Sequence, residues 1–314
     1  MSSDEPKKVG LLIGREWSWP NALISEINRR NEGVVAEFVK IGGTFMQGDC
    51  PYHVIIDRMS HEIPYYRTYL KFAALNNCYV VNNPFMTSAD DKFFGIGLVN
   101  KLGGQTPRTV ALPNKRVENE NVPENFRNLE YPMDWQGIID YVGVPAVLKD
   151  INSGGRRLSR RVHNVDELIR CYDESDTLTA VLQQVIESDT HIHCFVVGRE
   201  KVLATRYSLE EKKYLADDGR LDPAIKERTS KSARLISQAY GYDINMVEYV
   251  IQNGEHYLIN PTNPVPDLDI KLLTPGHFNW TVKEMAGFAI RMAQKPAEQY
   301  DHYHWHKALV DSGQ

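Results

Sequence analysis

The 314-residue chain carries 36 Lys and Arg against 41 Asp and Glu, a formal net charge of −5, with 42% hydrophobic and 25% charged residues, and its length supports roughly two or three packed units. The acidic balance, with pI near 6.1, removes any global electrostatic reason to expect nucleic acid or an anionic membrane as partner. A mean hydropathy of −0.42, with no run near the ~20 apolar residues of a spanning helix, argues against a membrane protein.

The polar start MSSDEPKK runs straight into Val9 to Ile13, an apolar stretch too short and wrongly flanked for a secretory leader. Cys50, Cys78, Cys171 and Cys194 are scattered and form no CxxC pair, so neither a zinc site nor a disulfide framework is suggested. A cytoplasmic protein with reduced thiols is expected.

Up to about residue 85, short β-rich runs alternate with amphipathic ones, the pattern of an α/β unit on a mainly parallel sheet. Strands are predicted at Val9 to Ile13, Val34 to Val39, His53 to Ile56 and Tyr79 to Asn82, with helices at Trp19 to Arg30 and Tyr65 to Asn76. Open sheets place ligands at the carboxyl ends of their strands, which singles out Arg15 and Arg58 as candidate substrate contacts; a surface position for both is an equal alternative. Ser88-Ala-Asp-Asp-Lys92 reads as a helix start with Ser88 as cap. Asn114 to Asn128 reads as an exposed loop. From Pro145 the chain turns β-rich, at Ala146 to Lys149, Ala180 to Ile186, His193 to Val197, Lys201 to Ala204, Asn245 to Ile251 and Glu255 to Ile259. Helical patterns cover Val165 to Tyr172, Ala224 to Tyr240 and Thr281 to Ala293. This proportion predicts an α+β lobe on an antiparallel sheet.

Lys149 ends a strand and precedes Asp-Ile-Asn-Ser153-Gly154-Gly155-Arg156. The strand fixes the lysine's direction, and the glycines let backbone N–H groups approach phosphate oxygens. Taken alone, such a pairing is more often a solvated hairpin. Neither GxGxxG nor GxxxxGK[ST] occurs, so a nucleotide would need another grip. Three further pieces stand in order around it: Asp91-Lys92-Phe93, Gln183-Gln184-Val185-Ile186-Glu187, and Glu248 followed by Asn260-Pro-Thr-Asn263.

That ordered series resembles the ATP-grasp superfamily of carboxylate–amine ligases over nearly the whole chain. The resemblance implies an α/β plus α+β architecture: a Rossmann-like pre-ATP-grasp domain over 1–86, a central lobe over 87–179, a C-terminal lobe over 180–296 and a polar tail over 297–314. It implies ATP and Mg²⁺ as cofactors. Lys92, Lys149, Ser153, Gly154 and Gly155 would meet the phosphates, Gln184, Val185 and Ile186 the adenine, and Glu187 the ribose. Glu248, Asn260 and either Thr262 or Asn263 match the metal ligands, with Asn260 where relatives carry glutamate, and Asp267 or Asp269 stand downstream as substitutes. Arg206 is the candidate phosphate-facing guanidinium, and Arg156 a candidate contact for an anionic substrate. His191 and His193 replace an Asp-x-Arg pattern.

The reaction so implied is ADP-forming ligation of a small-molecule or peptide carboxylate to an amine through an acylphosphate, in a homodimer with no nucleic-acid or membrane partner. Two alternatives stand beside it, a catalytically silent nucleotide-binding scaffold and an ATP-grasp kinase acting on a hydroxyl. The arginine run at 156–161 reads as a solvated edge, and His302, His304 and His306 as a surface tail.

Overall fold

The computed structural model describes residues 5–117, 123–152, 158–188, 190–216, 219–296 and 303. The chain opens with β1 (Lys7–Leu12), α1 (Ser18–Arg30), β2 (Val34–Phe38), β3 (Val54–Asp57), α2 (Pro64–Leu75) and β4 (Tyr79–Val81). The strands pair in parallel in the order β2-β1-β3-β4. Val54, Ile55 and Ile56 are all fully buried, as a parallel sheet covered on both faces requires. Trp19, Leu23 and Ile27 recur every four residues on α1 and seal one face, while Tyr69, Leu70, Ala73 and Ala74 of α2 seal the other.

Two short helices follow, α3 (Pro84–Ala89) and α4 (Lys92–Lys101). Ser88, expected to cap the helix of Lys92, lies instead in the last turn of α3, its hydroxyl donating to Pro84 O. The cap is Asp91, which is extended and accepts from Phe94 N at 2.7 Å.

The middle of the chain supplies β5 (Thr109–Leu112), a 3-10 turn at Pro123–Phe126, α5 (Trp135–Val142), β6 (Ala146–Asp150), β7 (Ser159–Val162), α6 (Val165–Asp173) and β8 (Ala180–Gln184). Only part of the loop expected at 114–128 lies among the described residues. The four strands form an antiparallel sheet in the order β5-β8-β6-β7, and α5 and α6 close its own core around Leu148, Leu168 and Leu182. The boundary expected at 179/180 therefore cuts this sheet, because Ala180–Gln184 hydrogen-bonds between β5 and β6.

The last part contains β9 (Thr190–Val197), β10 (Lys201–Ser208), β11 (Lys213–Tyr214), α7 (Pro223–Tyr240), β12 (Ile244–Gln252), β13 (Glu255–Asn260) and α8 (Pro275–Gln294). Its antiparallel sheet runs β11-β10-β9-β12-β13. Helix α8 starts six residues before the expected Thr281, since Thr274 caps it and Pro275 occupies its first position. Helix α7 covers one face of the sheet together with Ile96 and Val99 of α4, so the buried side of α4 joins the core of this lobe while the helix also lies against β5 of the central sheet. On the other face Phe195, Met246, Met285 and Ile290 join Leu11, Trp19 and Ile56 in one core. Residues 297–314, with the three expected tail histidines, lie outside the described residues except for Tyr303. Among the described residues no helix is long and apolar enough to cross a membrane.

Polar ties reinforce that shared core. Asp243 accepts from Tyr79 OH at 2.7 Å and from Arg199 Nε at 2.7 Å, and Arg199 also donates to Tyr79 OH at 2.9 Å. Asn82, buried at the end of β4, accepts from the Asp243 and Ile244 amides and donates to Ile244 O at 2.7 Å. Each buried polar group is thus matched across the two sheets. Replacing Asp243 by Ala should cost about 3 kcal/mol of unfolding free energy, because it strands a partly buried guanidinium. Glu26→Ala, which breaks surface pairs on α1, should cost under about 1 kcal/mol; denaturant titration of both variants checks the contrast.

Candidate functional site

Between the central sheet and the fused body of the other two sheets lies a cleft of about 820 Å³. Lys92, Lys149, Gln184, Val185, Ile186, Glu248, Asn260 and Asn263 all line it, although they come from every part of the chain after residue 90.

The two lysines face it from different elements. Lys92 opens α4 and donates from its ammonium to Asp150 O at 2.8 Å and to Asn152 O, while its backbone N–H bonds Ile151 O at 2.9 Å. Lys149 on β6 donates to Gln183 Oε1 at 2.7 Å. Among the described residues neither ammonium has a carboxylate within ion-pair distance. Of three donors each, one on Lys92 and two on Lys149 have no partner among the described residues. Burial lowers the pKa of Lys92, against the opposing fields of Asp150, Asp90 and Asp91. The same effect is larger at Lys149, whose ammonium is surrounded by protein although its tip meets the cleft: burial and then repulsion from Lys92 bring it down to about 8, with Glu248 pulling the other way.

At one end of the cleft the chain leaves the central sheet. Gln184 N bonds Arg108 O at 2.9 Å and Val185 N bonds Pro145 O at 3.0 Å, so the crossing segment is pinned to both neighbours. Glu187, just beyond, is exposed and paired with Arg161 at 2.6 Å, and does not line the cleft.

On the facing wall a register shift in the β12–β13 ladder decides the geometry. Tyr249 pairs with Leu258 but Glu248 pairs with Asn260, leaving Ile259 as the extra residue. A bulge of this kind re-aims side chains, and here it sets Glu248 and Asn260 side by side, with Asn260 Nδ2 2.9 Å from Glu248 Oε1. The amide orientation is interchangeable; turned over, it presents an oxygen at that spacing. Adjacent corners of an octahedron with Mg²⁺–O bonds are roughly 2.9 Å apart, so the spacing of the pair is one that two ligands of a Mg²⁺ ion would have. His193, opposite Glu248 on β9, sits 3.9 Å from its other oxygen and is held by Tyr214 OH at 3.0 Å and by stacking on Tyr207.

Several expected residues stand elsewhere. Asn263 lines the cleft, but its Oδ1 accepts from Val265 N at 3.2 Å, shaping a turn. Asp269 binds Ser18 Oγ at 3.1 Å and Asp267 the amide of Asp269; neither lines the cleft, so neither joins Glu248 there. Arg206 registers with Ile192, which packs under α7, whereas His193 and Glu248 occupy the opposite face. Strand alternation therefore turns it away from the cleft. Arg58 is a strut and not a substrate contact: its fully buried side chain pairs with Glu16, donates to Pro266 O and lies 5.2 Å over Trp19. Arg15 is exposed and outside the lining. Ser153, Gly154, Gly155 and Arg156 lie outside the described residues.

Other lining residues carry no site motif in the sequence. Gln183 holds Lys149, and strand position is the available signal. Asp90 accepts from Thr262 Oγ1 at 2.8 Å and Tyr242 OH at 3.1 Å, and burial raises its pKa; its nearness to Lys92 in sequence is the clue. His61 and Arg67, from the loop after β3 and from α2, have no local signature.

No family model matches the chain. A stretch of 156 residues is 24% identical to a pyruvate carboxylase subunit of Methanothermobacter thermautotrophicus, covering 44% of this chain and 32% of that protein, so the chain spans about a third of the length of the curated relative it matches. Solved structures align over far more. The RimK domain protein ATP-grasp of Sphaerobacter thermophilus superposes with a TM-score of 0.64 at 17% identity, covering 90% of this chain and 99% of that one. D-alanine–D-alanine ligase of Bacillus anthracis gives 0.63 at 16%, covering 92% and 99%, and the VanG D-Ala:D-Ser ligase of Enterococcus faecalis 0.65 at 14%, covering 92% and 99%. With these superpositions over nine-tenths of its length and its three-sheet arrangement around one cleft, the chain has the ATP-grasp fold.

Proposed function

We propose that the cleft binds ATP with Mg²⁺ and that the protein is an ADP-forming ligase joining a carboxylate to an amine through an acylphosphate. The reading rests above all on two half-buried ammonium groups that converge on one cleft with only neutral oxygens as hydrogen-bond partners among the described residues. A cation out of water without a counter-ion is costly, and a polyphosphate supplies the missing negative charge. ATP is also in keeping with the D-alanine–D-alanine ligase of Bacillus anthracis solved as a complex with ATP, which superposes with a TM-score of 0.62 at 17% identity; the ligases among the neighbours favour the reaction class.

Each residue then has a task. The unused donors of Lys92 and Lys149 hold and neutralise the β- and γ-phosphates, and the backbone at Gln184 to Ile186 meets the adenine. Glu248 and the Asn260 amide oxygen hold Mg²⁺, which supplies charge neutralisation at the phosphates when bound. Phosphorylation of the substrate carboxylate makes it electrophilic, and attack by the amine releases phosphate. Positioning and electrostatics carry the rate, with no side-chain nucleophile. His61 and Arg67, which line the same cleft from the side of the first sheet, meet the acceptor in this reading. The four unpaired thiols suit a reducing, cytoplasmic setting.

One observation favours a second reading. With Asn260 opposite Glu248, the β12–β13 pair offers one carboxylate, which suits one Mg²⁺ and is also compatible with a nucleotide-binding protein that does no chemistry. Calorimetric titration with ATP and Mg²⁺, followed by an ADP-release assay over mixtures of amino acids and small acids, separates the two. ATP binding with no ADP under any mixture selects the silent scaffold, and no ATP binding overturns both.

Lys149 binds phosphate only when protonated, and its free-state value is about 8. ATP affinity should therefore be full below pH 8 and fall about ten-fold per pH unit above it. Lys149→Met should weaken ATP binding about a hundred-fold at pH 7 and abolish this pH dependence, both read by titration across the pH range. Glu248→Gln should raise the Mg²⁺ concentration for half-maximal ATP binding by about ten-fold or more, and Asn260→Asp, which adds a charge, should lower it by about three-fold or more; Mg²⁺ titrations at fixed ATP measure both.

A further inference from the structure

The outer face of the first sheet, away from the cleft, brings together two of the four cysteines. Cys78 sits in the turn between α2 and β4 and is fully enclosed. Cys50 lies in the segment joining β2 to β3 and is half-buried. The chain separates them by 28 positions, yet the two thiols are neighbours in one cluster, and Tyr69 of α2 reaches Cys50 as well. Both belong to the cluster under α2, Cys78 inside it and Cys50 packed against it with one side toward solvent. Their own backbones orient them, Cys50 Sγ lying 3.7 Å from Tyr52 O and Cys78 Sγ 3.8 Å from Tyr79 O.

From this juxtaposition we propose that Cys50 and Cys78 form a peroxide-responsive thiol pair, with Cys50 the reacting sulfur and Cys78 the resolving one. Thiol pairs that close transiently are the usual exception to the absence of disulfides in reducing compartments, and a reactive thiol needs both exposure and thiolate character. Cys50 has the exposure. The neighbouring Cys78 outweighs partial burial and, with Tyr69 OH, brings the Cys50 thiol down to about 7. Burial pushes Cys78 well up, so it stays a thiol until its partner has been oxidised. The groups facing the pair are Tyr52, Tyr69 and Tyr303, none of which competes for the proton near neutrality. Cys171 and Cys194 have no thiol neighbour among the described residues, and burial raises both.

The chemistry balances with hydrogen peroxide as the oxidant. The Cys50 thiolate attacks one peroxide oxygen, the O–O bond breaks, and a sulfenic acid and hydroxide are left. The Cys78 sulfur then attacks the Cys50 sulfur, the S–O bond breaks, and the departing hydroxide takes the thiol proton as water. Two thiols lose two electrons in total and one peroxide becomes two waters. The new bond ties the β2–β3 segment to the start of β4, closing the stretch that contains β3 and α2.

Peptide mapping by mass spectrometry tests this on the full chain, treated with hydrogen peroxide with and without dimedone and digested without reductant. The expected result in the unaltered protein is a linked Cys50–Cys78 peptide that disappears on reduction, with little dimedone adduct. Cys78→Ser should lose the link and accumulate the adduct on Cys50, while Cys50→Ser should leave Cys78 at least about ten-fold less reactive. Absence of the linked peptide from the oxidised, unaltered protein overturns the proposal whatever the variants do. So does an adduct on Cys50 that persists with Cys78 present, or oxidation of Cys171 at the same rate as Cys50. ATP titration of the reduced protein is unaffected by any of these outcomes, so the pair and the nucleotide site stand or fall separately.

Discussion

Asp243 is the point on which the arrangement of the sheets depends. A carboxylate this deeply buried must be paired, and its partners come from two directions: Tyr79 on the first sheet and Arg199 in the turn between β9 and β10. Beside it Asn82 satisfies two amides and one carbonyl at the start of β12. The polar ties are specific where the apolar core beneath them is not, because a hydrogen-bonded set has one register and a hydrophobic face tolerates sliding. With the first and third sheets fixed as one body, the central sheet meets it through the segment after Gln184, the contact of α4 with β5, the lysine at the head of α4 and the bond from Leu258 N to Gln105 O.

That asymmetry gives the cleft its chemistry. Lys92 belongs by packing to the fused body but spends two donors on carbonyls at the end of β6, where Lys149 also stands. The two cations share one volume and repel, and burial deepens the effect. The site is electrostatically incomplete by itself, a condition that an anion relieves. On the opposite wall the bulge in β13 supplies a hard-oxygen pair in place of a continuous ladder. Binding energy is thus stored in unsatisfied charge and not in shape alone.

How far the site is legible in the sequence varies residue by residue. Lys92, Lys149 and the Gln184 to Ile186 segment stand in an ordered series, and order along a chain survives folding, so they are legible as a group. Glu248 and Asn260 are legible as a pair twelve apart, but their adjacency depends on one extra residue in β13 that pattern cannot reveal. Arg206 and Arg58 show the opposite. Each has the right charge near the right strand end, yet alternation turns one to the far face and an ion pair with Glu16 buries the other.

The sequence by itself determined the alternation of elements, the parallel first sheet, the antiparallel last one and the two lysines, because periodicity and strand-end position are local properties of the chain. Tertiary structure alone decided that β8 joins the central sheet, that α4 packs with the last lobe, which arginines face the cleft, and that Cys50 meets Cys78. These depend on register, on the face a side chain takes and on contacts between distant segments, and none of the three is written in the neighbourhood of a single residue.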